Sequence, residues 1–186
     1  MIRLIRPAAM LLGLCAALAP VGGLAGCPPA ADRGAERAEL LAGLAAAPDE
    51  ESARALADRL WRLWTTAPDP LSQEWLDEGM DRIRMADYAM AERILTELIA
   101  WCPGFAEAWN QRAFARFLKG DMEGALADIA RTLALEPAHF GALSGRFHVL
   151  MALGRPAEAR AALRAALGIH PWLVERHLLA PPGREL

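Results

Sequence analysis

Beyond residue 35 the apolar positions of this chain fall at helical spacing. Ala91, Leu95 and Leu98 step by four and three, and Ala125, Ile129 and Leu133 by four and four, which draws one buried stripe along each of two helices. The pattern predicts helices in pairs: 73–85 with 88–101, 107–118 with 122–135, and 141–153 with 157–167. Gly120-Asp121 and Gly154-Arg155 mark tight turns inside two of these pairs, and Asp87 and Asp121 are suited to cap the helices that follow. Upstream, residues 36–47 and 50–64 read as two more helices, split by Pro48-Asp49, with Leu56, Leu60 and Leu63 on one stripe. No stretch reads as a strand.

The helix pairs repeat. Pro103, Pro137 and Pro171 are 34 residues apart, as are Ala91, Ala125 and Ala159, with Leu95, Ile129 and Leu163 four residues after each alanine. Trp75 and Trp109 keep the same spacing, and Leu143 takes the third place. Gly79 and Ala113 follow four residues after the tryptophans, with Phe147 at the third site. Gly120 and Gly154 also match, with Ala86 in the first unit. A fixed period of this length signals stacked supersecondary units.

These residues resemble the tetratricopeptide repeat: a large residue at position 4, a small one at 8, Ala at 20, an aromatic or aliphatic residue at 24 and Pro at 32. The resemblance divides the body into repeats at 72–105, 106–139 and 140–173. It implies an all-α solenoid of stacked antiparallel helix pairs, three clear repeats plus a degenerate N-terminal cap. Residues 36–71 are expected to form that cap, shielding the open face of the first repeat. Residues 174–186 are a short C-terminal tail, too brief for the usual closing helix, so the last face is expected to be weakly protected. The third repeat departs from the pattern at Leu143 and Phe147.

Composition and charge add an address. The chain has 186 residues, 54% of them apolar, and more than a third are Ala or Leu (40 and 29). That mixture is too apolar for disorder and too poor in β-branched and aromatic residues for an all-β fold. Arg3 and Arg6 are the only charges before Asp32, and an uncharged run rich in Leu and Ala follows them. Residues 1–26 therefore read as an export signal, and Pro20, Gly22, Gly23 and Gly26 argue against a membrane-spanning helix. Leu24-Ala25-Gly26-Cys27 resembles a bacterial lipobox, which implies lipidation of Cys27, a linker over 27–35 and anchorage on the periplasmic side of the envelope, at the outer rather than the inner membrane. The other reading is an ordinary signal cut beside Ala25 or Ala31. With Cys15 removed and Cys27 capped, Cys102 is expected to be a lone thiol. The formal charge of −3, which becomes −5 once Arg3 and Arg6 are lost, argues against nucleic acid.

Catalytic candidates are few. The four histidines, His139, His148, His170 and His177, show no metal-binding i, i+3 or i+4 spacing, and no HExxH, CxxC, phosphate loop or nucleophile elbow is present. No enzyme activity, cofactor or metal is expected. A binding surface fits better. The resemblance places a concave face on the first helices, at Leu76, Met80, Ile83, Asn110, Phe114, Phe117, His148 and Met151 among others, apolar at its centre and suited to a protein or peptide partner. The N-terminal helix over 50–64 is close enough to compete for that groove. The clamp by which some members grip terminal carboxylates is absent, since Leu76, Met80, Gln111, Gly141 and Gly145 stand at its positions. Position 7, usually Leu, is Glu78, Arg112 and Arg146, which suggests either a charge ladder between first helices or a spot for an acidic ligand. The expected role is a protein-binding adaptor or scaffold of the bacterial envelope. Two alternatives stay open: a periplasmic chaperone-like holder of apolar segments, and a structural subunit that self-associates through its C-terminal face.

Overall fold

A computed structural model of the chain describes residues 26–179; residues 1–25, which carry nearly all of the expected export signal, and the last seven residues lie outside the described residues. The described elements are helical throughout: α1 (Gly34–Ala45), α2 (Glu50–Trp64), α3 (Pro70–Arg84), α4 (Tyr88–Trp101), α5 (Ala106–Lys119), α6 (Met122–Leu135), α7 (Phe140–Ala152), α8 (Pro156–Ile169) and a final 3-10 helix, Val174–Leu179. None of these helices is long and apolar enough to cross a membrane.

Local chemistry sets the helix boundaries. Asp49, Asp69, Asp87 and Asp121 each accept a hydrogen bond from a backbone N–H three residues on, so four helices start on an aspartate cap. Pro70 and Pro156 open α3 and α8, where a missing N–H costs nothing. The turns inside the three repeats are alike: Asp87 N–H donates to Arg82 O, Asp121 N–H to Arg116 O and Arg155 N–H to Leu150 O, each at 2.9 Å. The residue before each donor is left-handed: Gly120 (φ 92°), Gly154 (φ 69°) and, in the first repeat, Ala86 (φ 59°).

Helices α3 to α8 pack consecutively, each pair against the next, as the period of 34 predicts. Small residues set the spacing. A Cβ on Gly79 would stand 2.8 Å from Leu95, inside the core that Leu76, Leu95, Leu98 and Ala108 share. Ala113, Ala125 and Ile129 form the matching core of the second repeat, and Phe147, Ala159 and Leu163 that of the third.

The N-terminal hairpin departs from its expected place. Its apolar stripe (Leu40, Leu44, Ala57, Leu60, Trp64) packs with Phe140, Ile169, Trp172 and Leu173 of the third repeat. Trp64 stacks on His139 with centroids 4.0 Å apart, and Trp172 Nε1 donates to Ala47 O at 3.0 Å across 125 residues. Ion pairs Arg37–Glu136 (2.9 Å) and Arg176–Glu50 (3.2 Å) flank the contact. The C-terminal face, expected to be weakly protected, is thus covered by α1 and α2, and Trp172 is half-buried rather than free for self-association. The large aromatic stripe of α2 finds the deeper apolar surface there.

At the first repeat a covalent tie appears instead. Cys27 and Cys102 form a disulfide with Cα atoms 5.0 Å apart, and Cys27 packs against the first repeat's core. One expectation is corrected by this: Cys102 is not a lone thiol. A lipid thioether on Cys27 and this disulfide exclude one another, since both need the same sulfur. Asp69 completes a cluster with the two sulfurs, but its carboxylate caps α3, accepts from Ser72 Oγ at 2.5 Å and lies 3.4 Å from Trp101 Nε1. Those hydrogen bonds, Ser72 foremost, hold Asp69 below its ordinary value.

Candidate functional site

The first helices of the three repeats line a groove of about 610 Å³. Its floor is apolar: Met80 and Ile83 from α3, Phe114 and Phe117 from α5. Asn110 precedes Phe114 by one turn on the same face, and Gly141, Ser144, Gly145 and His148 continue the wall along α7. Six of the eight residues singled out from the sequence meet here: Met80, Ile83, Asn110, Phe114, Phe117 and His148. Leu76 does not, because it is fully enclosed with Leu95, Leu98 and Cys102 in the first repeat's core. Met151 is exposed but lies outside the groove lining, in the last turn of α7.

The far wall comes from elements that repeat periodicity does not assign to the groove. Ala57, Asp58 and Trp61 of α2 stand on one side, and His170, Leu173, Val174 and Glu175 close the end. Gly141 is what admits Trp61: a Cβ there would lie 2.5 Å from the indole. The N-terminal helix therefore walls the groove without filling it, and Phe114 keeps 47% of its surface in solvent at the centre.

The closed end is polar. Ser144 Oγ donates to Glu175 Oε1 at 2.6 Å, and His148 Nε2 lies 3.1 Å from the same oxygen. Serine and histidine both serve the carboxylate and not each other, so this is no nucleophile–base relay. Burial pushes the Glu175 carboxyl up, but the hydrogen bonds from Ser144 and His148 outweigh it and leave the group below its ordinary value. Its second oxygen, Oε2, is buried and has no partner among the described residues, and neither has Nδ1 of His170, a side chain only 8% exposed.

Position 7 resolves differently from the expected ladder. Arg112, 8% exposed, turns to α6 and grips both oxygens of Asp128 at 2.7 and 2.8 Å, while its Nη1 donates to Thr96 at 3.0 Å and its guanidinium lies 4.9 Å from the Trp109 ring. Arg116, at position 11, adds 2.9 Å contacts to Asp128 and Glu92, and Lys119 reaches Glu92 at 2.7 Å. Glu78 pairs within its own helix with Arg82, and Arg146 is exposed. The charges of Arg112 and Arg116 are neutralised inside and between adjacent pairs, which leaves no anion site there. Another buried pair, His139 Nε2 with Glu107 Oε2 at 2.9 Å, ties α7 to α5. His139 Nδ1 accepts from Ala142 N–H, which leaves the ring proton on Nε2, facing the carboxylate.

The chain is 35% identical over 125 residues to a TPR (tetratricopeptide) repeat-containing protein of Rhizobium etli; the match covers 67% of this chain and 60% of that protein, so the chain spans about three fifths of its relative's length. Two solved structures share the architecture. One is the RS-1 ArsTM double mutant of MamA, with a TM-score of 0.51 and 15% identity over 80% of each chain. The other is a point mutant of MamA, with a TM-score of 0.50 and 18% identity over 79% of this chain and 91% of that one. At such identities the likeness is one of fold. No protein-family model matches the chain.

Proposed function

The chain is a tetratricopeptide-repeat solenoid, and from that premise we propose that it is a non-enzymatic adaptor of the bacterial envelope whose groove takes an apolar or amphipathic segment of a protein partner. The observation that carries this reading is the open apolar floor: Phe114 sits in the middle of α5 yet stays half in solvent, with Phe117, Met80 and Ile83 around it. A contiguous apolar surface inside a concave wall costs solubility unless something covers it. Binding through such a face is helix-in-groove recognition, read by side chains at helical spacing.

In-cell crosslinking with mass spectrometry tests the reading. Partners captured by the full chain should be lost from a Phe114→Ala, Phe117→Ala variant that retains its helical content. Unchanged partners would remove the groove from the function.

Export is the second part of the proposal. A disulfide that joins the start of the chain's body to its first repeat suits an oxidising compartment, and the uncharged leader after Arg3 and Arg6 has the form of an export signal. Unreduced peptide mapping of the mature protein should yield the Cys27 and Cys102 peptides joined. A diacylglyceryl adduct on Cys27 would overturn this and restore the anchored form.

A further inference from the structure

Phe114 and Phe117 make the groove's floor greasy, but its closed end is built for a donor. Glu175 Oε1 already has two partners, Ser144 Oγ at 2.6 Å and His148 Nε2 at 3.1 Å, while Oε2 is buried with none among the described residues. His170 sits on the same wall, only 8% exposed, and its Nδ1 is likewise unmet. Buried polar atoms are nearly always paired, so two orphans on one groove wall mark where a partner group belongs. The carboxylate oxygen is an acceptor, and so is the imidazole Nδ1 when the ring proton sits on Nε2.

Charge points the same way. The carboxylates lining the groove are Asp58 and Glu175, and the one lysine or arginine among its described lining residues, Arg84, is paired with Asp81. Arg176, the other cation near His170, is turned to Glu50 and to the Trp172 ring. What is left over is negative. The surrounding faces are aromatic, with Trp61, Phe140 and His170 set edge to face at 5.0 to 5.6 Å. Aromatic faces beside a carboxylate suit a planar cation above a compact one.

We infer that the partner segment carries a basic side chain, arginine in preference to lysine, which enters the closed end of the groove and donates to Glu175 Oε2 and His170 Nδ1 while neighbouring apolar residues cover Phe114 and Phe117. This rests on the groove reading above and narrows it. The partner is an amphipathic segment with a cation at one end of its apolar stripe. An acidic or wholly apolar segment leaves both acceptors unmet.

Fluorescence anisotropy with short labelled peptides tests it. The probe is an acetylated, amidated peptide with Leu and Phe at helical spacing and one Arg, compared with counterparts carrying citrulline or Glu at that place. Citrulline keeps the shape and removes the charge. The full-length protein should bind the Arg peptide about tenfold more tightly than the citrulline peptide, the size of one charge-assisted hydrogen bond, and the Glu peptide more weakly still. Glu175→Gln should erase the difference. His170→Phe, which keeps the ring packing on Phe140, should reduce it and guards against a distortion peculiar to the amide substitution. Phe114→Ala should weaken all three peptides alike.

Equal affinity for the Arg and citrulline peptides, or an Arg advantage that survives Glu175→Gln, overturns the inference; if Phe114→Ala still weakens binding, the groove reading stands without it. No binding of any peptide at about millimolar concentration, or no effect of Phe114→Ala, overturns both.

Discussion

The junction between the first two repeats and the closed end of the groove bury the same chemistry with opposite outcomes. At the junction Asp128 has both oxygens occupied, by Arg112 twice and by Arg116, and Glu92 takes Arg116 and Lys119. At the groove's end Glu175 takes two donors on one oxygen, and its other oxygen faces none. The first arrangement closes on itself, so it holds helices together and offers nothing to a ligand. The second is half closed by this chain, which is the state expected of a site completed by something else. Charge alone would not have separated them. Satisfaction does.

Unpairing the junction should do the most damage. Asp128→Ala leaves the Arg112 guanidinium buried beside Trp109 with only Thr96 as a partner. Breaking one side of a buried ion pair costs ~3–5 kcal/mol, so urea unfolding should show a large fall in midpoint. A loss under about 1 kcal/mol would mean that water reaches Arg112 and that the junction is an ordinary surface pair.

Glu175→Gln is the matched experiment at the other region. Ser144 can still donate to the amide oxygen, and no buried cation depends on the carboxylate, so stability should change by at most about 1 kcal/mol. The same urea series reads it. A cost equal to that of Asp128→Ala would make Glu175 a structural residue and end the contrast.

A smaller effect is expected on the junction side, where satisfaction of charge does not mean absence of strain. Ala86 holds φ 59° at the turn entering α4, where the other two repeats have Gly120 and Gly154. Ala86→Gly relieves a left-handed Cβ and should raise stability by roughly 0.5–1 kcal/mol, against the usual sign for glycine. Calorimetry showing a lower melting temperature would place the unfolded-state entropy above the strain.

How much of this was legible in the sequence follows from range. The 34-residue period gave the helix pairs, their turns and their small contact residues because each is a local choice repeated three times. The tetratricopeptide resemblance, not the period itself, implied the six residues that meet in the groove, since position within a first helix fixes which way a side chain faces. Trp61, His170 and Glu175 escaped both. They reach the groove by closure across the whole chain, and the 125-residue contact between Trp172 and Ala47 leaves no periodic mark. Arg112 was visible as a charge at an apolar position, but its partner Asp128 lies in the other helix of the pair, not one repeat away. The disulfide escaped for a related reason: the motif around Cys27 is local, and its sulfur's partner is 75 residues distant.

Acid titration offers the smallest and most discriminating effect. Burial pulls the His170 imidazole below 6.5, with Glu175 opposing the shift and Arg176 adding to it. Lys119, then Arg116, hold Glu92 below 4.5 against the upward push of burial. In both cases the native value lies under the unfolded one, so the unfolded chain binds more protons in the interval between them. Stability is therefore full above the unfolded value and falls as the pH drops toward the native one. For His170 the fall starts near 6.5, at the groove end; for Glu92 it starts near 4.5, at the junction. A stability profile from neutral to acid pH should decline in two stages, and His170→Phe should flatten the upper stage while leaving the lower one in place. If the two proteins follow the same curve from about pH 6.5 to 5, the His170 ring is not held neutral by burial, and its Nδ1 loses its standing as an acceptor awaiting a donor.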